Sequence, residues 1–231
     1  MDKIIADNLV YMVGDSVILD HLGPFSISQK DLVCINGPSG GGKTTFLNSL
    51  AGLVIPNTGS IHWGKTNILD LSKKINIDRL RMSWISIIFQ EPRLAKNLTG
   101  WENIFLPMKI SGSIKNYDRE LLDLLLDTLF LGQGMSIVEL DAKLHQRVSN
   151  YSGGQMQRIA IIRAIMTLPK FIFADEILNS VEPELQEKTW DIIKKICKDR
   201  NIGFLLVTHN VSLLSDVDFT QNIKIENGAI I

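Results

Sequence analysis

A chain of 231 residues, 45% of them hydrophobic, is long enough to bury a real core, and 24 Lys plus Arg against 25 Asp plus Glu leave a net charge of −1. Without a positive excess or a run of basic residues the chain is poorly suited to being held by phosphate attraction, so no nucleic-acid partner is expected. Two isolated cysteines, Cys34 and Cys197, argue against a disulfide framework or a Cys/His metal cluster and read as reduced core thiols of a cytosolic protein. The start, MDKIIADNLVY, lacks the basic and apolar regions of a signal peptide, and no stretch approaches the roughly 20 apolar residues of a membrane helix.

In chain order, the first third reads as short strands: IIADNLVYMV, SVILDHL and FSIS alternate apolar and polar residues between turn residues such as Gly14, Asp15, Gly23 and Pro24. DLVCIN (31–36) is a continuous apolar run, the pattern of a strand covered on both faces, and FLNSLAGL behind it reads as helix. NTGSIHWGK after Pro56 and SWISIIFQ (83–90) are further β-rich runs. DRELLDLLLDTLFL (118–131) predicts a helix capped by Asp118, with leucines on more than one face and hence well buried; SGGQMQRIAIIRAIM (152–166) predicts a second, ended by Pro169. FIFAD (171–175) is a buried strand. Pro183 opens a helix, PELQEKTWDIIKKICKDR, with Leu185, Thr189, Ile192, Ile193 and Ile196 along one face. FLLVTH (204–209) is another apolar strand, and Asn227-Gly228 between alternating segments is a hairpin signal. Strands alternating with helices predict a mostly parallel α/β sheet with an antiparallel part at the N-terminus.

Between the strand at 31–36 and the helix after it lies GPSGGGKTT, in which Gly37, Gly42, Lys43 and Thr44 fit G-x-x-x-x-G-K-[ST]. Glycines let successive N–H groups turn inward around a phosphate, and the following helix presents its positive end to the same anion. The expected phosphate contacts are therefore Gly37, Pro38, Ser39, Gly40, Gly41, Gly42, Lys43, Thr44 and Thr45, with the Lys43 ammonium on the outer phosphates and the Thr44 hydroxyl on Mg²⁺. A second strand ending in an acid is the usual partner of such a loop. Asp175 is expected to hold Mg²⁺, and Glu176 to reach the attacking water as general base.

One further motif separates the families that carry a phosphate loop. YSGGQMQR (151–158) resembles the signature of ATP-binding-cassette (ABC) ATPases, and the family's other marks follow in order: Gln90 in IIFQEPRL, His209 in LLVTHN, and Tyr11 ahead of the phosphate loop. The resemblance spans essentially the whole chain. DRLRMSWISIIFQEPRLAKNLTGWENIFLPM further resembles the lipoprotein-release, macrolide-export and cell-division branch.

The resemblance implies a phosphate-loop NTPase fold over 1–231: residues 1–96 and 169–231 form the nucleotide-binding core with its antiparallel β subdomain, and 97–168 an inserted α-helical subdomain with the signature. It implies that Tyr11 stacks on adenine, that Gln90 contacts Mg²⁺ and water, and that His209 senses the γ-phosphate. Ser152, Gly153, Gly154 and Gln155 would meet the nucleotide of a second ATPase subunit, most simply another copy, paired head to tail around two MgATP. An integral-membrane permease would be the other partner, on the cytoplasmic face of the cell membrane. Two alternatives stay open: a regulatory cassette with weak hydrolysis, and a soluble cassette of the nucleic-acid or translation type, although no long coiled-coil insertion or tandem cassette is present. His21, His62 and His145 have no constellation around them.

The chain departs from the family pattern at one place of consequence. After the expected base the family runs Pro-Thr-Ser/Gly-x-Leu-Asp, where this chain has Ile177-Leu178-Asn179-Ser180-Val181-Glu182. Glu182 would keep the charge of the final Asp one methylene further out, with altered geometry toward the nucleotide. Asn210 replaces the Asp often found after the histidine, and Tyr151 replaces the signature leucine. Residues 91–110, with Trp101, are a candidate dock for a partner's helix.

Overall fold

A computed structural model describes residues 1–71, 74–178, 181, 183–209 and 219–231, so Glu182 and Asn210 lie outside the described residues. The chain divides into two compact units: 1–87 with 170–176 and 201–231, and 88–169 with 177–200.

The first unit holds two sheets. Strands β1 (Lys3–Val13), β2 (Ser16–Leu22), β3 (Phe25–Ser28), β5 (Thr58–Trp63) and β6 (Thr66–Asn67) form an antiparallel sheet centred on β1, which pairs with β2, β3 and β5. The second sheet runs β11 (Ala229–Ile230), β10 (Gln221–Glu226), β4 (Leu32–Asn36), β9 (Gly203–Val207), β8 (Phe171–Asp175), β7 (Ile85–Ile88). Strands β10, β4, β9 and β8 are parallel, and the unbroken apolar sequences of the inner strands suit that: every residue of β8 and β9 is buried. The C-terminal hairpin β10–β11 is antiparallel, and its turn residues Asn227 and Gly228 both have positive φ, 50° and 79°.

Helix α1 (Lys43–Leu50) follows β4 and packs its aromatic Phe46 edge-on against Phe25, with 5.2 Å between ring centres. A second aromatic column, Trp63–Trp84–Phe171, stacks at 6.2 and 6.1 Å, and the Trp63 indole N–H donates to the Leu50 carbonyl at 3.0 Å, fastening the end of α1. Helix α2 (Lys74–Trp84) fills a stretch to which no element was assigned from sequence. It takes Ser83 and Trp84 from the predicted strand at 83–90, leaving β7 only four residues.

The second unit is helical: α3 (Gly100–Ser111), α4 (Arg119–Leu129), α5 (Ile137–Leu144), α6 (Gly153–Met166) and α7 (Pro183–Arg200). This unit is wider than the expected helical segment 97–168, because it also takes in 88–96 and 177–200, which were expected in the nucleotide-binding core. Asp118 caps α4 through the Leu121 N–H at 3.0 Å, as expected, and its other oxygen is ion-paired with Arg200 at the end of α7. Leucines do stand on more than one face of α4, but the expectation that this buries the helix well is corrected. Leu121, Leu122, Leu125, Leu126 and Leu129 form one buried stripe while Leu124 is exposed, so α4 is amphipathic. Helix α6 is the one buried nearly throughout, from Gln157 to Ile162 and again from Ala164 to Met166.

Replacing Trp63 by alanine removes a fully buried indole and the tie to α1. The expected cost is about 3–5 kcal/mol in urea unfolding followed by circular dichroism. A loss below about 1 kcal/mol would show that the aromatic column does not hold the first unit together.

Candidate active site

The C-terminal ends of the three adjacent parallel strands β4, β9 and β8 gather the phosphate loop, His209 and the Asp175–Glu176 pair on one edge of the sheet. This is the edge at which open parallel sheets bind ligands. The loop has the backbone its glycines permit. Gly37 has φ 140°, and a Cβ there would stand 2.0 Å from the Ile225 carbonyl oxygen; Gly42, with φ 97°, begins α1 and would collide with the Ile18 carbonyl at 2.8 Å. Nothing lies within 4 Å of the corresponding position on Gly40, so the loop is open on that side. Pro38 and Ser39 are exposed, Gly41 is buried, and Thr45 follows Thr44 into the first turn of α1.

The loop is braced by its own lysine. The buried Lys43 ammonium donates to the carbonyls of Gly37 at 2.9 Å and Pro38 at 2.7 Å. Beside it, the Thr44 hydroxyl donates to Asp175 Oδ2 at 2.9 Å. Burial pushes the Asp175 carboxyl above its ordinary value of 3.8; the Thr44 bond and Lys43 work against that shift, and Glu176 adds to it. Glu176 sits in the left-handed region (φ 49°), its N–H donating to the Val207 carbonyl at 2.9 Å. That bend turns its carboxylate toward His209, whose Nδ1 lies 2.7 Å from Oε1. Thr208 N–H donates to the Ile35 carbonyl at 3.0 Å and so fixes the strand end that carries the histidine.

Tyr11 lies on β1, half-buried against the core of the first unit, beside the exposed Met12, Val13 and Val17. In the second unit, Ser152 caps α6 in a reciprocal box. Its hydroxyl accepts from the Gln155 N–H at 3.2 Å, and the Gln155 side chain accepts from the Ser152 N–H at 3.1 Å. Gly153 is exposed, with open space where a side chain would be. Gln90 is exposed at the end of the β7 segment; the preceding Phe89 carbonyl faces the buried Gln157 Nε2 at 3.5 Å, and the Arg93 carbonyl accepts from Arg163 at 2.8 Å. The loop around Gln90 is therefore anchored to α6. Sequence reading missed Asn103, a fully buried amide in α3 that bonds Ala95 N–H at 2.8 Å, the Ala95 carbonyl at 3.1 Å and the Thr99 carbonyl at 2.9 Å. A lone Asn inside the apolar run WENIFLPM was its signal. Trp101 is half-buried and stacks on Phe105 at 5.8 Å.

A profile of the ABC transporter family matches residues 23–179. The chain belongs to the ABC transporter family. This ABC cassette is 33% identical over 222 residues to the lipoprotein-releasing system ATP-binding protein LolD of Rickettsia bellii, covering 95% of this chain and 92% of that protein. It is also 33% identical over 201 residues to the macrolide export ATP-binding/permease protein MacB of Bdellovibrio bacteriovorus, covering 86% of the cassette and 29% of that longer protein. Its fold is that of the dimeric bacterial ABC transporter cassette MJ0796, with a TM-score of 0.82 at 24% identity over 98% of this chain and 96% of the other. The ABC cassette thus has the α/β fold expected, with its antiparallel and parallel sheets. No helix among its described residues is long and apolar enough to cross a membrane.

Asp175→Asn keeps an acceptor for Thr44 but removes a desolvated charge. The folded state carries the cost of that charge fully above the raised carboxyl pKa, and the cost vanishes below the ordinary 3.8. The variant is expected to melt above the wild type at neutral pH without nucleotide, with the gain shrinking as pH falls. A melting point lowered at neutral pH would contradict that account of Asp175.

Proposed function

We propose that the chain is the ATP-hydrolysing subunit of a membrane complex and that it closes head to tail with a second copy around two MgATP. The observation that carries this reading is the 2.9 Å bond between Thr44 and Asp175, which joins the phosphate loop to the carboxylate strand. A hydroxyl and a carboxylate are hard oxygen donors suited to Mg²⁺, and few protein ligands suffice when substrate phosphates complete the shell. Thr44 and Asp175 would hold the ion, which when bound neutralises charge on the β- and γ-phosphates.

The chain's own groups do the rest. Lys43 exchanges the Gly37 and Pro38 carbonyls for phosphate oxygens, because a charged acceptor is the stronger partner. The N–H groups from Gly37 to Thr45 cradle the phosphates, and Tyr11 stacks on the adenine. Glu176 takes a proton from water as that water's oxygen bonds to the γ-phosphorus; the bond to the bridging oxygen breaks and ADP leaves. His209, already within hydrogen-bond distance of Glu176, orients that carboxylate and contacts the γ-phosphate. Ser152, Gly153, Gly154 and Gln155 present the start of α6 to the nucleotide of the other copy.

ATP thereby joins two subunits, and its cleavage removes the joint. LolD and MacB are named for lipoprotein release and macrolide export, which supports a permease partner and a peripheral place on the cytoplasmic face of the membrane. The replaced segment after Glu176 tunes this cycle. Ile177, Leu178 and Val181 are buried, and Gln186 donates to the carbonyls of Leu178 and Val181, both at 3.0 Å. With Glu182 in place of the family's aspartate, turnover is slow or depends on the engaged permease.

Two substitutions test this reading. Glu176→Gln should reduce phosphate release by at least about a hundredfold while ATP affinity holds; undiminished turnover would remove Glu176 as the base. Glu182→Asp should speed hydrolysis or change its dependence on the permease, and if neither moves, the altered segment has no bearing on rate.

A further inference from the structure

The residue ahead of the capping serine carries a contact that no signature leucine could make. Tyr151 is buried, and its hydroxyl donates to the Lys143 carbonyl in the last turn of α5 at 2.6 Å. Burial pushes its phenol up to about 12, so the hydroxyl stays a donor at any physiological pH. The Lys143 ammonium lies 4.5 Å from the centre of the same ring and donates to the Asn150 carbonyl at 3.1 Å, closing the approach to α6 from the other side.

The space for that hydroxyl comes from α3. A Cβ on Gly100, the first residue of that helix, would stand 2.4 Å from the Tyr151 oxygen and 3.0 Å from Leu144 Cδ2. Backbone bonds draw the same two segments together. Gly100 N–H donates to the Gln146 carbonyl at 3.2 Å, Val148 N–H donates to the Leu98 carbonyl at 3.0 Å, and Thr99 pairs with Arg147 between them. Thr99 is itself the cap of α3, through the Glu102 N–H at 3.1 Å. The caps of two helices, Thr99 and Ser152, are thus joined through one aromatic side chain seated over one glycine.

We infer that Tyr151 is a positioning residue that, seated on Gly100, locks the start of α3 and the phosphate-facing start of α6 into one rigid piece. The inference rests on the reading that α6 meets the nucleotide of a second copy, and it adds how that helix end is aimed. Helix α3 carries the half-buried Trp101 and Phe105, so a push on that face is delivered through Gly100 and Tyr151 to Ser152 rather than absorbed by the loops between. A leucine at 151 would leave both the Lys143 carbonyl and the space above Gly100 without the hydroxyl.

The test uses the full chain in the Glu176→Gln background, with Tyr151→Phe, Gly100→Ala and the double variant. Backbone hydrogen exchange without nucleotide should quicken roughly tenfold in both stretches, 97–103 and 149–156, for either single variant. MgATP-driven association, read by sedimentation, should weaken by a similar factor while ATP affinity at the phosphate loop holds, a split that a merely structural role would not give. The double variant should lose no more than Tyr151→Phe does alone, because the hydroxyl that the new methyl would strike is gone. The inference is overturned if faster exchange stays within the mutated stretch, or if Gly100→Ala does equal damage in both backgrounds. Should Gly100→Ala fail to fold, unchanged exchange at 97–103 in Tyr151→Phe overturns it alone. If the parent never associates with MgATP while exchange remains coupled across the two stretches, the head-to-tail reading falls and the lock stands.

Discussion

A carboxylate pushed out of water at the end of a parallel strand, answered by a threonine hydroxyl at 2.9 Å, is the constraint around which the first unit is arranged. A hydroxyl is a dipole, not a counter-charge, so it offsets only part of what desolvating a carboxylate costs. Lys43 helps at a distance, but its hydrogen bonds go to the Gly37 and Pro38 carbonyls. Acid, cation and hydroxyl are thus held close together, each joined to a substitute partner. An anion with its divalent cation would replace all of those partners at once. Burial on both faces of β4, β8 and β9 fixes the three strand ends, and thereby the distances between loop, acids and histidine.

The second unit offers a different device. It brings the capped start of a helix, and it holds that start by hydrogen bonds and packing inside the unit: the capping box at Ser152, the Tyr151 bond to Lys143, and the ties from α6 to the segment around Gln90. A helix start directs N–H groups and positive potential at an anion without needing a charged side chain.

Much of this was legible in the sequence because the elements that build the site have strong local signals. The run LVCIN, the glycines behind it, FIFAD with its acids, and GFLLVTH each show one unmistakable pattern, and each folds as that pattern requires. What escaped had weak or ambiguous patterns. Helix α2, KINIDRLRMSW, is charged enough that no apolar period stands out, and it took two residues from a neighbouring run rich in β formers. In α4, leucines at 121, 122, 124, 125, 126 and 129 look continuous along the chain; only the helical turn separates Leu124 from the buried stripe. Three-dimensional pairings were beyond reach altogether. Nothing local announces that Tyr151 needs a glycine at 100, that Asn103 organises 95–99, or that Lys43 bonds the carbonyls of its own loop.

The central claim is that Thr44 and Asp175 hold a divalent ion delivered together with ATP. Manganese in place of magnesium makes that ion visible to pulsed electron paramagnetic resonance. With ATP and the Glu176→Gln chain, the spectrum should show coupling of the manganese to nucleotide phosphorus, and the bound signal should largely disappear when Thr44 and Asp175 are both changed to alanine. Manganese bound with no phosphorus coupling, or bound equally well without those two side chains, would contradict the account.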